Sequence, residues 1–251
     1  MRIGIIGCGN MGGAIACALV KAGFSVISAD HTREKVEKTG ARYADVGEVL
    51  RDGEVVILAV KPQTMPSLLP SLKGTKTQWI SVVTGYDLKK LSQELGTHEI
   101  VRFMPNVAAK AGASVTAVTA DPSCSEGLRS TAMKIADTFG SAFELSEAMM
   151  PAFIGISGSG IAYVFQFLHA MALGGTREGI PYQKSLQIAC DTLLSAVMLQ
   201  KKSGQNPIDL LSSVCSAGGT TIEGIEALEK NAFDHAVIEA VTVAAEKSKR
   251  L

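Results

Sequence analysis

Residues 3–12 of the chain read Ile3-Gly4-Ile5-Ile6-Gly7-Cys8-Gly9-Asn10-Met11-Gly12. The apolar run before Gly7 is typical of a short buried strand, and residues 11–21 have apolar side chains at helical spacing. Three glycines, at positions 7, 9 and 12, join these two segments. A strand that enters a helix through glycines at this spacing predicts the first unit of a doubly wound α/β fold.

The three glycines have different physical roles in such a turn. Gly7 makes the tight turn, Gly9 lets the backbone approach a pyrophosphate, and Gly12 allows the helix to pack closely on the strand. The first helical amides, at Asn10 and Met11, are expected to hold the anion. The alternative is a glycine turn with only a structural role, but the position between strand and helix favours a dinucleotide site.

The end of the second predicted strand bears on which dinucleotide binds. Asp30 stands where a carboxylate accepts a hydrogen bond from a ribose 2′-hydroxyl, which favours NAD. His31, Thr32, Arg33 and Lys35 follow closely and offer donors for a 2′-phosphate. The same residues also suit a solvated helix start that is capped by Thr32. We predict a preference for NADPH, with NADH as the alternative.

Strands and helices alternate along the first part of the chain. Predicted strands cover residues 3–6, 24–29, 54–60, 79–83, 100–103, 114–119 and 142–145. Predicted helices cover residues 11–21, 34–38, 46–51, 88–95 and 126–139. Strands rich in Val and Ile that alternate with helices predict a Rossmann-type, doubly wound parallel sheet.

Strand signals end after Glu147. The remaining predicted helices cover residues 161–173, 184–201, 208–215, 222–229 and 233–249. We therefore expect a dinucleotide-binding domain over residues 1–150 and an all-helical domain over residues 151–251. No Asp, Glu, Lys or Arg occurs between Glu147 and Arg177, a length that could span a bilayer. The glycines, serines and proline within it favour a helix buried inside protein instead of a membrane span.

Charge and cysteine content exclude several classes of function. The chain has 24 basic and 24 acidic residues, and no run of basic residues is longer than a pair such as Lys201-Lys202. No nucleic-acid partner is therefore expected. Five scattered cysteines and four scattered histidines predict neither a disulfide framework nor a metal site. Because Met1 leads into the glycine motif without an apolar leader, we expect a cytoplasmic protein.

Two further strand ends carry residues that face the same edge of the predicted sheet. Ala59-Val60-Lys61-Pro62 ends the third strand, and Met104-Pro105-Asn106 follows the fifth. Open parallel sheets bind their ligands at the carboxyl ends of the strands. Each segment alone is equally consistent with a plain loop.

A second glycine-rich helix start lies in the helical part, within residues 216–223. Thr220 and Glu223 have the spacing of a capping box, which would leave the hydroxyl of Thr221 free. Gly218 and Gly219 expose backbone amides that could hold an anion such as a substrate carboxylate. The alternative is a glycine-rich turn between two helices.

The sequence shows no Ser-His-Asp, Cys-His or paired-carboxylate arrangement. Hydride transfer to an electrophile that is already activated, such as a protonated imine, needs none of these groups. It needs orientation and one hydroxyl near the nitrogen.

Together these motifs resemble the pyrroline-5-carboxylate reductase family, nearly from end to end. The region from Pro207 to Leu228, centred on residues 215–223, is the most specific part of the likeness. The other matching segments are Ile5-Ile6-Gly7-Cys8-Gly9-Asn10-Met11-Gly12, Ala59-Val60-Lys61-Pro62, Met104-Pro105-Asn106, Ser157-Gly158-Ser159-Gly160 and Ala162-Tyr163-Val164-Phe165.

The resemblance implies an oxidoreductase that reduces 1-pyrroline-5-carboxylate to L-proline with NAD(P)H, the last step of proline biosynthesis. It implies that the amides of Gly219, Thr220 and Thr221 hold the substrate carboxylate and that Thr221 acts as the catalytic residue near the ring nitrogen. Residues 60–62 and 104–106 would line the nicotinamide end of the cofactor. The helical domain would build an intertwined homodimer, and such dimers often assemble further.

The sequence departs from the family at Ile161, Leu173, Gln205 and Asn206, where proline, aspartate, and glutamate or histidine are common. These departures bear on the polar surroundings of the ring nitrogen. One alternative is a hydroxyacid dehydrogenase, which would want a catalytic lysine, and Lys184 has no suitable surroundings. Another is a nucleotide-sensing protein without turnover.

The helix predicted over residues 161–173 is apolar around much of its circumference, as Val164, Phe165 and Phe167 illustrate. A domain of about a hundred residues is small for covering such a helix on all sides. We therefore expect an obligate two-fold dimer whose helical domains share one core, with the substrate pocket near that interface.

Overall fold

The computed structural model describes residues 1–250, and eight strands in them form one sheet. The strands are β1 (Arg2–Ile6), β2 (Ser25–Ala29), β3 (Arg42–Tyr43), β4 (Val55–Leu58), β5 (Gln78–Ser81), β6 (Ile100–Pro105), β7 (Ser114–Ala120) and β8 (Gly140–Glu144). Their order across the sheet is β3-β2-β1-β4-β5-β6-β7-β8. The order reverses between β1 and β4, and ligands of open α/β sheets bind at such a switch point.

All neighbouring strands are parallel except β6 and β7, which are antiparallel. The predicted parallel sheet thus contains one antiparallel pair, at β7. The two strands are joined through a 3₁₀ turn, Val107–Ala111, and a parallel crossover needs about a dozen residues or more. The Rossmann-type, doubly wound fold class is otherwise confirmed.

Six helices flank the sheet: α1 (Asn10–Lys21), α2 (Arg33–Glu37), α3 (Val46–Asp52), α4 (Met65–Leu72), α5 (Leu88–Leu95) and α6 (Glu126–Asp137). The sequence did not predict α4, because it contains Pro66 and Pro70, and proline normally ends a helix. Pro66 lies in the first turn, where its missing N–H costs little. Strand β3 was also not predicted, since it has only two residues.

Apolar side chains cover both faces of the sheet. On one face Ile3, Ile5 and Ile57 pack with residues of α1 and α6. On the other face Val56 and Leu58 pack with residues of α3, α4 and α5. Since both faces are buried, the strands are continuous runs of Val, Ile and Leu, as expected for a parallel sheet.

After β8 the described chain contains helices but no strand, which confirms the all-helical C-terminal region. A 3₁₀ turn (Glu147–Met149), α7 (Met150–Phe153) and a π-helical turn (Ile154–Gly158) come first. They are followed by α8 (Gly160–Arg177), α9 (Tyr182–Ser203), α10 (Pro207–Val214), α11 (Thr220–Lys230) and α12 (Phe233–Ser248). The chain forms two compact units, of which the second is Ser159–Ala244. The first unit therefore extends past the predicted boundary near residue 150.

Side chains from distant parts of the second unit meet within it. The Tyr163 hydroxyl donates to the carbonyl of Ala240 at 3.0 Å, and the rings of Phe167 and Phe233 lie 6.0 Å apart. The Tyr182 hydroxyl is 2.9 Å from Nδ1 of His169. These contacts hold α8 against α9 and α12.

The stretch Glu147–Arg177 is helical over 31 residues, and an 18-residue window within it has a mean hydropathy of 1.5. By length and composition alone it could cross a membrane. Only 28% of its most apolar part is buried within one copy of the chain. One copy of the chain therefore leaves much of this helix exposed, and its burial inside the assembled protein stays a prediction. Phe165, for example, is 61% exposed. Because α8 is apolar around its circumference, the neighbouring helices of one chain cover only part of it.

Candidate active site

The glycine loop after β1 has the backbone geometry that its sequence predicts. Gly7 has a φ of +98°, and a Cβ there would lie 2.7 Å from the carbonyl oxygen of Ala59. A Cβ on Gly12 would lie 2.0 Å from the carbonyl oxygen of Gly7. By contrast, a Cβ on Gly9 would meet no atom of residues 1–250 within 4 Å. Gly7 and Gly12 are thus required for packing, and Gly9 faces open space that a ligand can approach.

The N-terminus of α1 supplies hydrogen-bond donors to this space. Gly9 is the cap residue, and the first helical hydrogen bond runs from the amide of Gly13 to the carbonyl of Gly9 at 2.8 Å. The amides of Asn10, Met11 and Gly12 precede this bond and therefore have no acceptor in their own helix. Together with the helix dipole they form a cradle for an anion such as a pyrophosphate.

Asp30 links the end of β2 to the glycine loop. Its Oδ2 accepts the amide of Cys8 at 2.7 Å, and its Oδ1 accepts the amide of Thr32 at 3.0 Å. A carboxylate oxygen has a further lone pair, so Asp30 can still accept a bond from a ligand. Burial raises the pKa of the Cys8 thiol, so this side chain adds no negative charge to the loop at neutral pH.

A cavity of about 610 Å³ joins several of the predicted cofactor residues. Those residues are Gly7, Gly9, Asp30, His31, Thr32, Ala59, Val60 and Lys61. Lys35 and Tyr43 also line it. The end of β2 and the end of β4 thus meet around one space.

Arg33 points elsewhere. Its Nε donates to Oε1 of Glu37 at 2.7 Å, and its guanidinium lies 5.5 Å from the ring centre of Tyr43. The cation that lines the cavity at the β2 end is Lys35. The ion pair between Arg33 and Glu37 is exposed and therefore weak, so a 2′-phosphate could compete with Glu37 for Arg33.

A second, open cavity of about 1150 Å³ runs along α1 and shares Gly9, Lys35 and Lys61 with the first. Lys110, in the turn after β6, also lines it and donates to Oδ1 of Asn10 at 3.2 Å. This contact holds a cation beside the start of α1, where a phosphate would lie. Lys110 cannot be recognised from local sequence patterns, because it is 100 residues from Asn10 and belongs to no local motif.

The side chain of Asn106, at the end of β6, is buried and engaged on both its polar atoms. Oδ1 accepts the amides of Ala108 at 3.2 Å and Val115 at 3.4 Å. Nδ2 donates to Oγ of Ser157 at 3.2 Å. Met104, the other predicted residue here, packs in a small cluster with Met150 and Phe153. Asn106 therefore fixes the backbone at the end of β6. At the end of β4, Pro62 begins a 3₁₀ turn, Pro62–Thr64.

The N-terminus of α11 lies in the second unit and differs from the prediction. Gly219 is the cap residue and Thr220 is the first helical residue, so the predicted capping box of Thr220 and Glu223 was wrong. The amide of Gly219 donates to the carbonyl of Ser216 at 3.0 Å. The amides without an acceptor in the helix are then those of Thr220, Thr221 and Ile222.

Known proteins match the whole chain. Residues 147–251 match the family described as pyrroline-5-carboxylate reductase dimerisation, and residues 2–85 match the family described as NADP oxidoreductase coenzyme F420-dependent. A pyrroline-5-carboxylate reductase of Aquifex aeolicus is 38% identical over 258 residues, which cover 100% of this chain and 97% of that protein. The enzyme of the same name from Escherichia coli K12 is 33% identical, covering 100% of this chain and 98% of that protein.

The chain belongs to the pyrroline-5-carboxylate reductase family. The structure of the 1-pyrroline-5-carboxylate reductase from Streptococcus pyogenes superposes with a TM-score of 0.89 at 34% identity, covering 100% of this chain and 99% of that one. That of the Plasmodium falciparum pyrroline carboxylate reductase, determined with NADP bound, gives 0.88 at 28% identity, covering 100% of this chain and 97% of that one. A reductive aminase from Aspergillus terreus, at 19% identity and a TM-score of 0.58, shares the fold.

For this pyrroline-5-carboxylate reductase family member, the hydroxyacid dehydrogenase alternative is set aside by relatives that match it over its full length. The region that matches the dimerisation family, residues 147–251, contains α8 to α12. It also contains large apolar side chains that stay exposed in one copy, among them Ile188, Leu194, Met198, Ile238 and Val243.

Proposed function

We propose that the chain reduces 1-pyrroline-5-carboxylate to L-proline, with NADPH as the hydride donor, as the last step of proline biosynthesis. The observation that carries this proposal is full-length membership of the reductase family in a chain whose glycine loop keeps an open anion cradle. A nucleotide-sensing protein without turnover would share both features, so turnover itself must be measured.

The described residues fit a bound dinucleotide. The amides of Asn10, Met11 and Gly12 hold the pyrophosphate, with Lys110 beside them. His31, Thr32 and Lys35 face the ribose phosphate, with Arg33 close by and Asp30 as the anchor of the loop. Lys61 and Met104 lie at the two strand ends that line the nicotinamide. When bound, the cofactor supplies the hydride.

The substrate is an anion with a cyclic imine, and the start of α11 suits both parts. The free amides of Thr220 and Thr221 hold the carboxylate, and Gly219 allows the tight turn before them, since a Cβ there would clash with Oγ of Ser216. The hydroxyl of Thr221 faces the ring nitrogen and keeps it protonated and oriented. The protonated C=N bond accepts the hydride at C5, and its π electrons become the lone pair of the proline nitrogen.

Cofactor choice follows from charge at the end of β2. Lys35 and His31 line the same cavity as two carboxylates, and both carboxylates already accept backbone amides: Asp30 accepts two, and Asp45 accepts that of Glu48 at the start of α3. A 2′-phosphate therefore gains more there than a 2′-hydroxyl. We expect NADPH to be preferred, with NADH used less well.

We further propose that residues 1–150 act as the nucleotide domain and that residues 151–251 form the substrate and dimerisation domain of a homodimer. The exposed apolar side chains of α8, α9 and α12 support this proposal, because water would otherwise cover them. A second copy, instead of lipid, then covers the stretch Glu147–Arg177. The five free cysteines fit a cytoplasmic enzyme.

Steady-state oxidation of NADPH and of NADH with 1-pyrroline-5-carboxylate tests the activity. We expect turnover with both cofactors and a lower KM for NADPH. Binding of NADPH without any turnover would favour the nucleotide-sensing alternative. A lower KM for NADH would show that Asp30 dominates the choice.

Light scattering on a dilution series tests the dimer. We expect a mass of twice 26.3 kDa, or an even multiple of it if dimers associate further. A folded and active species of 26.3 kDa at micromolar concentration would contradict the proposal.

A further inference from the structure

Ser157 lies in the π-helical turn Ile154–Gly158, at the end of the first unit. Its side chain is buried, with a relative exposure of 6%, whereas the neighbouring Ile156 is 66% exposed. A buried hydroxyl normally has a hydrogen-bond partner, so the inward position of Ser157 requires a polar contact.

That contact is with Asn106 at the end of β6. Oγ of Ser157 accepts from Nδ2 of Asn106 at 3.2 Å and donates to the carbonyl of Val115 at 3.4 Å. The other polar atoms of Asn106 are also bonded. Oδ1 of Asn106 accepts two backbone amides, and the backbone N–H of Asn106 donates to Oγ of Ser114 at 3.2 Å.

The π turn explains how Ser157 reaches this network. Such turns are rare, are less favourable than the α-helix, and occur often at functional sites. The wider turn places a serine against β7, after the regular turns of α7 have placed Met150 and Phe153 in an apolar cluster with Met104. Met104 and Asn106 are thus both held by residues from the same short segment.

We propose that Ser157 is a positioning residue, which acts through Asn106 to fix the strand end that lines the nicotinamide. This inference rests on the proposed function, because the reductase reaction gives the strand end its importance. Loss of the Ser157 hydroxyl leaves a buried amide group of Asn106 without its partner, so the strand end shifts or becomes mobile. Hydride transfer is sensitive to such small displacements.

Ser157→Ala tests the proposal, with Ser159→Ala as the matched control and Ser157→Thr as the variant that keeps the hydroxyl. Ser159 is two residues away, at the start of α8, and outside the Asn106 network. The measurements are kcat, the KM for pyrroline-5-carboxylate, the Kd for NADPH and the Kd for adenosine 2′,5′-bisphosphate, which lacks the nicotinamide. A melting temperature for each variant reports folding.

For Ser157→Ala we expect kcat to fall about ten-fold, while the Kd for adenosine 2′,5′-bisphosphate stays within about two-fold of the unmodified protein. Ser159→Ala should keep its kcat, and Ser157→Thr should recover most of the loss. Equal kcat values for the two alanine variants would overturn the proposal. So would an equal weakening of both nucleotides by Ser157→Ala, which indicates a purely structural role.

The two proposals fail in different ways. If the unmodified protein binds NADPH without turnover, the proposed function fails, and the fluorescence lifetime of bound NADPH then tests Ser157. A shorter lifetime in Ser157→Ala than in Ser159→Ala supports the positioning role, and equal lifetimes contradict it. A protein that does not bind NADPH contradicts both proposals.

Discussion

The carboxylate of Asp30 accepts the backbone amide of Cys8 at 2.7 Å, which ties the end of β2 to the glycine loop at the end of β1. The same side chain accepts the amide of Thr32 at 3.0 Å. Asp30 therefore organises the loop before any ligand is present. The presence of an aspartate at position 30 does not by itself decide between a ribose hydroxyl and a ribose phosphate. Either group would meet a carboxylate that already accepts two backbone amides.

Replacement of Asp30 by alanine should weaken NADPH and NADH by similar factors, about five- to ten-fold each. The reason is that the substitution removes the charge-assisted bond to the Cys8 amide, which organises the glycine loop that binds the part common to both cofactors. Titration calorimetry with each cofactor measures this. A loss confined to NADH would show instead that Asp30 acts mainly on the ribose hydroxyl.

Lys35→Ala should raise the KM for NADPH about ten-fold and that for NADH much less, since Lys35 lines the cavity. Arg33→Ala should also raise the KM for NADPH, but by a smaller factor, because the Arg33 guanidinium is paired with Glu37. Parallel kinetics of the two variants check the order. A larger effect of Arg33→Ala would mean that the phosphate displaces Glu37.

Thr221→Ala should lower kcat/KM for pyrroline-5-carboxylate by about one to two orders of magnitude, on the hypothesis that its hydroxyl orients or protonates the ring nitrogen. Thr220→Ala should change the free energy of unfolding by less than about 0.5 kcal/mol, because Gly219 is the cap residue. Kinetics and chemical denaturation of both variants test this pair. If Thr221→Ala keeps full activity and Thr220→Ala loses it, the hydroxyl near the ring nitrogen is that of Thr220.

Stability should fall in the alkaline range through Cys124. Burial, and next the charge of Glu99, raise the pKa of this thiol from 9.0 to about 11. Between these two pKa values the folded protein keeps a proton that the unfolded chain loses. The contribution of Cys124 to the free energy of unfolding is therefore complete below pH 9 and is lost as the pH rises to about 11. The loss amounts to roughly 2–3 kcal/mol at most.

Denaturant unfolding at several pH values tests the alkaline loss. Cys124→Ala should show a smaller decrease between pH 9 and 11 than the unmodified protein, whatever its stability at neutral pH. Cys190→Ala, at an exposed cysteine, is the matched control and should keep the full decrease. An identical pH dependence in Cys124→Ala and the unmodified protein would contradict the assignment.

Local patterns predicted the parts of the fold that depend on neighbouring residues. Gly7, Gly9 and Gly12 are spaced by the steric needs of one turn, so the sequence alone identified the loop and the helix after it. Strand direction is not local. The antiparallel β7 follows from the short connection after Asn106, and hydrophobic periodicity does not distinguish the two directions.

The candidate site was predicted less completely for similar reasons. The spacing of Thr220 and Glu223 suits a capping box, but the helix begins one residue earlier and uses Gly219 as its cap. Ser157 and Lys110, which we propose as further residues of the site, contact Asn106 and Asn10, which are far away in sequence. Only the folded sheet brings these pairs together.

The fate of the hydride tests the proposed reaction directly. NADPH with deuterium at C4 of the nicotinamide ring is incubated with the protein and 1-pyrroline-5-carboxylate, and the product is analysed by mass spectrometry and NMR. We predict L-proline that carries the deuterium at C5, formed in proportion to the NADPH oxidised. Bound cofactor without proline, or proline without deuterium at C5, would contradict hydride transfer from NADPH to pyrroline-5-carboxylate.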